Sequence, residues 1–172
     1  LRFEQAAHGY RRLTDAGYIP GGFDHFALPD DPLAIAAKEQ RVSRNFQGFT
    51  DDDAPVLLGF GASAISRFSD LIVQNEKRAG PYRNLVGEGC LTAVRGVTID
   101  EAQQLRGQTI RDILCNGRAR IETDKNRVQS DLADYERRGI IEWDADDLMI
   151  SDEGLPYARH VAAQFDSVRG AI

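Results

Sequence analysis

The sequence predicts an α/β fold followed by a mainly helical, winged-helix-like part, and three observations carry that prediction. First, an apolar run at Val56-Leu57-Leu58 empties into a small-residue loop, Gly59-Phe60-Gly61-Ala62-Ser63-Ala64, as a buried strand does at a site-bearing sheet edge. Second, helix patterns ending in glycine alternate with short apolar runs up to about Gly96. Third, from Thr98 onward the order changes to helix, helix, hairpin, helix. The expected division is therefore residues 1–96 and 97–172.

Taken in order, Phe3, Ala6, Ala7, Tyr10 and Leu13 fall at helical spacing, and Gly17 stands where that helix stops. Tyr18 to Phe23 reads as a strand broken by Pro20-Gly21-Gly22, which with the helix makes one unit of a parallel sheet. Asp24-His25-Phe26 then sits at the strand's end. The pair either orients an imidazole for proton transfer or caps a turn with the ring packed inside. Asp30-Asp31-Pro32 is a helix start, an acidic N-cap followed by proline in the first turn. Leu33, Ala36 and Ala37 are its expected buried stripe. Lys38, Arg41 and Arg44 are either a solvated face or, beside a pocket, partners for a carboxylate-rich ligand.

After the loop ending at Ser66, Leu71-Ile72-Val73 is a second strand and Gly80-Pro81 opens a short helix. Two or three such units are too little sheet to close a barrel, so unpaired edges are expected. Thr98-Ile99-Asp100-Glu101 reads as a capping box. The helix after it carries Leu105, Ile110, Ile113 and Leu114, and a second carries Val128, Leu132 and Tyr135 up to Gly139. Ile140 to Trp143 and Leu148 to Ile150 form a hairpin across an Asp-rich turn, and Ser151 caps a last helix.

With 42% hydrophobic and 28% charged residues the chain has the composition of a globular protein. No apolar run reaches the roughly 20 residues of a membrane helix. The net charge of −6 disfavours broad contact with nucleic acid or an anionic membrane. Winged helices often bind DNA, but Thr98 to Ile172 holds ten Lys and Arg against fifteen Asp and Glu, and phosphate is repelled. Cys90 and Cys115 alone make no zinc or iron–sulfur motif, so no metal ligand is expected here; two reduced cysteines suit a cytoplasmic chain. The chain starts at Leu1 rather than Met, and is expected to be a piece of something longer.

Gly22-Phe23-Asp24-His25-Phe26-Ala27, Asn45-Phe46-Gln47-Gly48-Phe49-Thr50 and Leu58-Gly59-Phe60-Gly61-Ala62-Ser63-Ala64-Ile65-Ser66 together resemble the oxygen-independent coproporphyrinogen III oxidases, radical S-adenosylmethionine enzymes of heme biosynthesis. Ile113-Leu114-Cys115-Asn116 is similar to their C-terminal region. The resemblance covers nearly all of this chain and only the C-terminal part of such an enzyme. It implies the end of an incomplete α/β (TIM-like) barrel, residues 1–96, and a winged-helix-like domain, residues 97–172. It implies a 4Fe-4S cluster held by a CxxxCxxC motif absent from this sequence, and two S-adenosylmethionine molecules. A 5′-deoxyadenosyl radical then removes hydrogen from two propionates of coproporphyrinogen III, which become vinyl groups with loss of carbon dioxide. An external electron acceptor is required, and no catalytic residue or proton donor is assigned within this chain. By motif match, Phe46, Gln47 and Ile65 line the second S-adenosylmethionine site. Arg44, just before the matched segment, is the candidate for a substrate carboxylate. The alternative is a catalytically silent, heme-chaperone-like or regulatory binding module of the same superfamily. The Phe46-Gln47-Gly48-Phe49-Thr50 segment favours the oxidase. The fragment alone is expected to be inactive.

Overall fold

A computed structural model describes residues 2–122 and 124–166. The chain is a mixture of helices and small antiparallel sheets, and it divides into two compact units, Leu1–Asp53 with Arg106–Ile172, and Ala54–Leu105.

The first unit opens with α1 (Arg2–Asp15). It ends as the sequence predicts: Gly17 takes φ 88°, its N–H donates to Thr14 O, and Tyr18 N–H donates to Leu13 O. That pair of bonds covers the last carbonyls of the helix and needs a left-handed residue, which glycine supplies without strain. The side chains of Phe3 and Ala6 lie outside the described residues.

Tyr18 to Phe23 is not one strand of a parallel unit. β1 (Ile19–Gly21) turns back through Gly22, Phe23 and Asp24 and pairs antiparallel with β2 (His25–Ala27). A parallel neighbour needs a crossover of a dozen or more residues, and three residues permit only a hairpin. α2 (Pro32–Lys38) is capped as expected, with Leu33 N–H donating to Asp31 Oδ1 at 2.8 Å and Pro32 in the first turn. Ala34 and Ala36 are its fully buried residues. A two-residue hairpin follows, β3 (Ser43–Arg44) against β4 (Phe49–Thr50).

The rest of this unit holds the larger core. α4 (Glu101–Asn116), which belongs to this unit from Arg106 on, is followed by β8 (Arg118–Arg120), α5 (Lys125–Arg137), and the hairpin β9 (Ile141–Asp144) and β10 (Asp147–Ile150). The three strands form one antiparallel sheet in the order β8-β10-β9. Ile113, Leu132, Ile141, Leu148 and Val161 are almost wholly excluded from water and make the centre of the core. Each contributes roughly 1.5–3 kcal/mol by burial. Two of the three aspartates of the hairpin turn are ion-paired within the module. Arg118 binds Asp147, Lys125 Nζ lies 2.7 Å from Asp146 Oδ1, and Asp144 stands opposite Asp147 in the strand ladder.

Two helix starts differ from the sequence reading. The box at α4 is formed by Asp100 and Gln103, not Thr98 and Glu101: Gln103 N–H donates to Asp100 Oδ1 at 2.7 Å, and Asp100 N–H donates to Gln103 Oε1 at 2.9 Å. Thr98 is taken by the preceding strand, which moves the cap two residues on. Ser151 caps no helix. Its hydroxyl donates to Gly139 O at 2.6 Å and accepts from Gly154 N–H at 3.0 Å, tying a turn. Pro156 sits in a 3₁₀ turn (Leu155–Tyr157), and α6 (Ala158–Ala162) starts only after it.

The second unit is a three-stranded antiparallel sheet, β5 (Ile65–Arg67), β6 (Leu71–Asn75) and β7 (Ala93–Thr98), with β6 central. α3 (Ala79–Gly87) connects β6 to β7. The run Val56 to Leu58 is not a buried strand: Val56 and Leu58 are exposed, and Leu57 makes a single bridge to Arg67. β7 is an edge strand exposed along its whole length.

Candidate functional site

Two groups of residues were singled out by the sequence, and they fall in different units. In the first unit they gather on the β3–β4 hairpin. Asn45 shapes its turn, its Oδ1 accepting from Gln47 N–H at 2.8 Å and Gly48 N–H at 3.2 Å. This Asx-type bonding fixes the backbone and leaves the intervening side chains outward. Phe46 is 49% exposed, and Gln47 is exposed beside it. An aromatic ring and an amide presented together from a pinned turn suit a ligand with a flat heterocycle and polar edges.

Arg44 lies at the base of the same hairpin. It is half-buried, and its guanidinium stands 5.7 Å from the centre of the Phe49 ring. Its Nε is buried with no hydrogen-bond acceptor in reach. A buried donor without a partner is unfavourable by about 1–3 kcal/mol, more when charged.

Phe49 is the hub of this region. Phe23 meets it edge-on at 5.3 Å and His25 at 4.9 Å. Gly22, at φ 69°, passes so close that a Cβ there would stand 2.3 Å from the ring's Cζ. Gly48 likewise leaves room for His25, whose Nε2 would lie 3.1 Å from an added Cβ. Asp24 Oδ1 holds His25 Nδ1 at 2.8 Å, so the open reading of this pair resolves to an exposed, oriented imidazole at the edge of a partly packed ring cluster.

Behind the hairpin, Cys115 packs with Ala36 and Val42 and against Phe49. Burial pushes its thiol up to about 11, against the pull of the Arg44 charge. Thiolate is the reactive form, so Cys115 is inert near neutral pH. Treatment of the folded chain with a thiol reagent at pH 8 is expected to label exposed Cys90 quickly and Cys115 only after denaturation. Equal rates for both would show the cluster to be open.

In the second unit the loop from Leu58 to Ser66 is clamped by groups the sequence reading did not single out. Asn75, buried on β6, donates from Nδ2 to Gly59 O at 3.1 Å and to Gly61 O at 3.0 Å. Gly61 N–H donates to Tyr82 Oη at 3.1 Å, and Gly59 N–H to Ser66 Oγ at 3.0 Å. An asparagine within an apolar strand is the signal that could have found this clamp, since a buried amide needs partners. Ile65 pairs with Gln74 at the start of β5 and is half-buried at the end of this loop, while Phe60 at its tip is 88% exposed. A groove of about 540 Å³ at the other end of the β5–β6 hairpin is lined by Pro55, Val56, Phe68 and Leu71, and Ile65 takes no part in it.

Among the described residues no three His, Cys, Asp or Glu side chains come together to hold a metal ion. No described helix is long and apolar enough to cross a membrane.

No protein-family model matches the chain. Individual proteins do. It is 34% identical over 96% of its length to an oxygen-independent coproporphyrinogen III oxidase of Bradyrhizobium diazoefficiens, and 38% identical over 96% to the anaerobic coproporphyrinogen III oxidase 1 of Cereibacter sphaeroides. The Escherichia coli oxidase of the same name is 32% identical over 90% of the chain. Among solved structures, the coproporphyrinogen III oxidase of Escherichia coli, a radical SAM enzyme, matches 94% of this chain with a TM-score of 0.81 at 30% identity. The chain spans about two fifths of the length of these relatives: 39% of the first two, 36% of the Escherichia coli protein and 40% of the solved chain.

Proposed function

We propose, from this kinship with the oxygen-independent coproporphyrinogen III oxidases, that the chain is the C-terminal part of such an enzyme. The whole protein would convert two propionate side chains of coproporphyrinogen III into vinyl groups, giving protoporphyrinogen IX. One observation carries the reading: identity of 34–38% running through 96% of this chain in proteins of that name. In this reading residues 1–96 close the catalytic barrel and residues 97–172 form the winged-helix-like domain, which serves packing and not DNA. The protein would work in the cytoplasm and hand electrons to an external acceptor.

The residues present do not fit an iron–sulfur cluster. Cys115 is buried among apolar groups, Cys90 is exposed, and among the described residues no third ligand joins either. In this reading the cluster would be held outside this chain, on the CxxxCxxC motif that this sequence lacks. The hairpin does fit an S-adenosylmethionine molecule. Phe46 would lie against its adenine and Gln47 would hydrogen-bond a polar edge; Ile65, in the other unit, is assigned to that ligand by motif match alone. That ligand would be the second of the two S-adenosylmethionine molecules that the resemblance implies; the molecule bound at the cluster would be the one cleaved to the carbon radical. Arg44 would bind a carboxylate of the substrate, pairing the buried Nε that otherwise has no acceptor.

Gln47→Ala tests the assignment cleanly, because an exposed amide carries no packing. In the chain joined behind the cluster-bearing part of a relative, the substitution is expected to weaken S-adenosylmethionine binding about tenfold, the worth of one to two hydrogen bonds. Cluster content and thermal stability should not change. An unaltered affinity by calorimetry removes Gln47 from the site. The function itself stands or falls on the same joined protein making protoporphyrinogen IX anaerobically with cluster and S-adenosylmethionine supplied.

A further inference from the structure

Arg159 occupies the exposed face of α6, and its guanidinium lies over the Phe23 ring, 4.8 Å from the centre. Phe23 meets Phe49 edge-on at 5.3 Å, and Phe49 lies 5.7 Å below the guanidinium of Arg44. Two arginines thus sit at the two ends of a pair of touching phenylalanine rings. They come from distant parts of the sequence, β3 and α6, and the rings from the β1–β2 turn and β4. His25, fixed by Asp24, adds a third nitrogen group against Phe49.

Among the described residues, several arginines of this unit are taken up by carboxylates, and these two are not. Arg41, Arg118, Arg120, Arg127, Arg137 and Arg138 each face a carboxylate of their own unit within 4 Å. Arg44 and Arg159 face none among the described residues; their recorded partners are rings. A guanidinium stacked on a ring keeps its in-plane N–H groups free to bind an anion in fork geometry. In a chain of net charge −6, with Arg44 Nε buried and lacking an acceptor, an acidic ligand is the natural complement. The two rings between the arginines add an apolar surface, so the ligand should join carboxylates through an apolar frame.

We infer that Arg44 and Arg159, mounted on Phe49 and Phe23, form a two-ended carboxylate-binding face that grips two acidic side chains of one apolar-framed polycarboxylate, with His25 at its rim. The inference rests on the reading above, in which the substrate is a tetracarboxylic tetrapyrrole, and it adds the residues that orient that substrate. Arg159 is the addition that sequence order alone conceals, because it lies 115 positions beyond Arg44.

The test uses the full 172-residue chain and coproporphyrin III, the stable oxidised tetra-acid, followed by its fluorescence. Its tetramethyl ester is the uncharged comparison. The acid should bind at least tenfold more tightly than the ester. Arg159→Gln and Arg44→Gln should each weaken the acid about tenfold or more and leave the ester unaffected, while Arg127→Gln, on α5 and paired with Asp131, should change neither. If Arg44→Gln melts early, Arg159→Gln still decides the matter, since that side chain is exposed. Absence of acid binding by the parent chain, equal binding of acid and ester, or an effect of Arg127→Gln as large as that of Arg159→Gln overturns the inference. The two failures are separable. A joined enzyme that turns over normally with both arginines replaced removes this face and keeps the reaction, whereas a joined parent enzyme without product removes the reaction and leaves the acid–ester comparison to be judged by itself.

Discussion

Gly154→Ala is expected to destabilise the unit containing the hairpin β9–β10 by about 3 kcal/mol or more, the upper range for forcing a group into closed packing. The reason is steric and not conformational, for Gly154 has φ −81°, open to any residue. An added Cβ would stand 2.0 Å from Ile140 O and 2.8 Å from its carbon. Backbone cannot swing aside as a side-chain tip can. The turn must lift, breaking the bonds from Gly154 N–H to Ser151 O and Oγ and from Ser151 to Gly139 and Ile140. α6 follows within four residues, so Arg159 should leave the Phe23 ring as well. Urea unfolding of the chain measures the first effect, and loss of acid binding the second. A change below about 1 kcal/mol would mean that the turn relaxes freely.

Gly59→Ala should have a similar effect on the unit Ala54–Leu105, also about 3 kcal/mol or more. Its added Cβ would meet Ile65 O at 2.5 Å and Ile65 N and C at 2.9 Å. Moving Gly59 outward pulls its carbonyl from Asn75 and its N–H from Ser66 Oγ. Gly61→Ala is the instructive comparison. It has open space around it but φ 104°, so only backbone strain of about 1–3 kcal/mol applies. Hydrogen exchange should show Gly59→Ala exposing the amides of Asn75 and Arg67, while Gly61→Ala leaves them protected. The reverse order of effects would mean that conformation, not close approach, selects glycine at 59.

Local signals were legible where a few adjacent residues settle the matter. Asp31-Pro32 starts a helix as read, and Gly17 and Gly139 end theirs in left-handed conformation, because cap chemistry is complete within one turn. Ile113, Val128 and Leu132 are buried as their spacing requires, whereas Leu105, read into the same α4 stripe, stays 54% exposed. Strand pairing was not legible. Hairpin and parallel crossover share the same short apolar runs, and only the length and path of the connection separates them. Thr98 likewise looked like a cap until strand pairing with Leu71 claimed it.

The sequence by itself determined the kinship. The linked order of the stretches around His25, Gln47 and Ile65 points to one group of enzymes, and relatives of that name match through 96% of the chain. Only the tertiary structure decided which groups support those segments. Asn75 reaches back 16 and 14 residues to hold Gly59 and Gly61, and Arg159 joins Phe23 across 136 positions. A hydrogen bond or a ring contact depends on distance in space, and sequence spacing fixes that distance only within a helix, a strand or a turn.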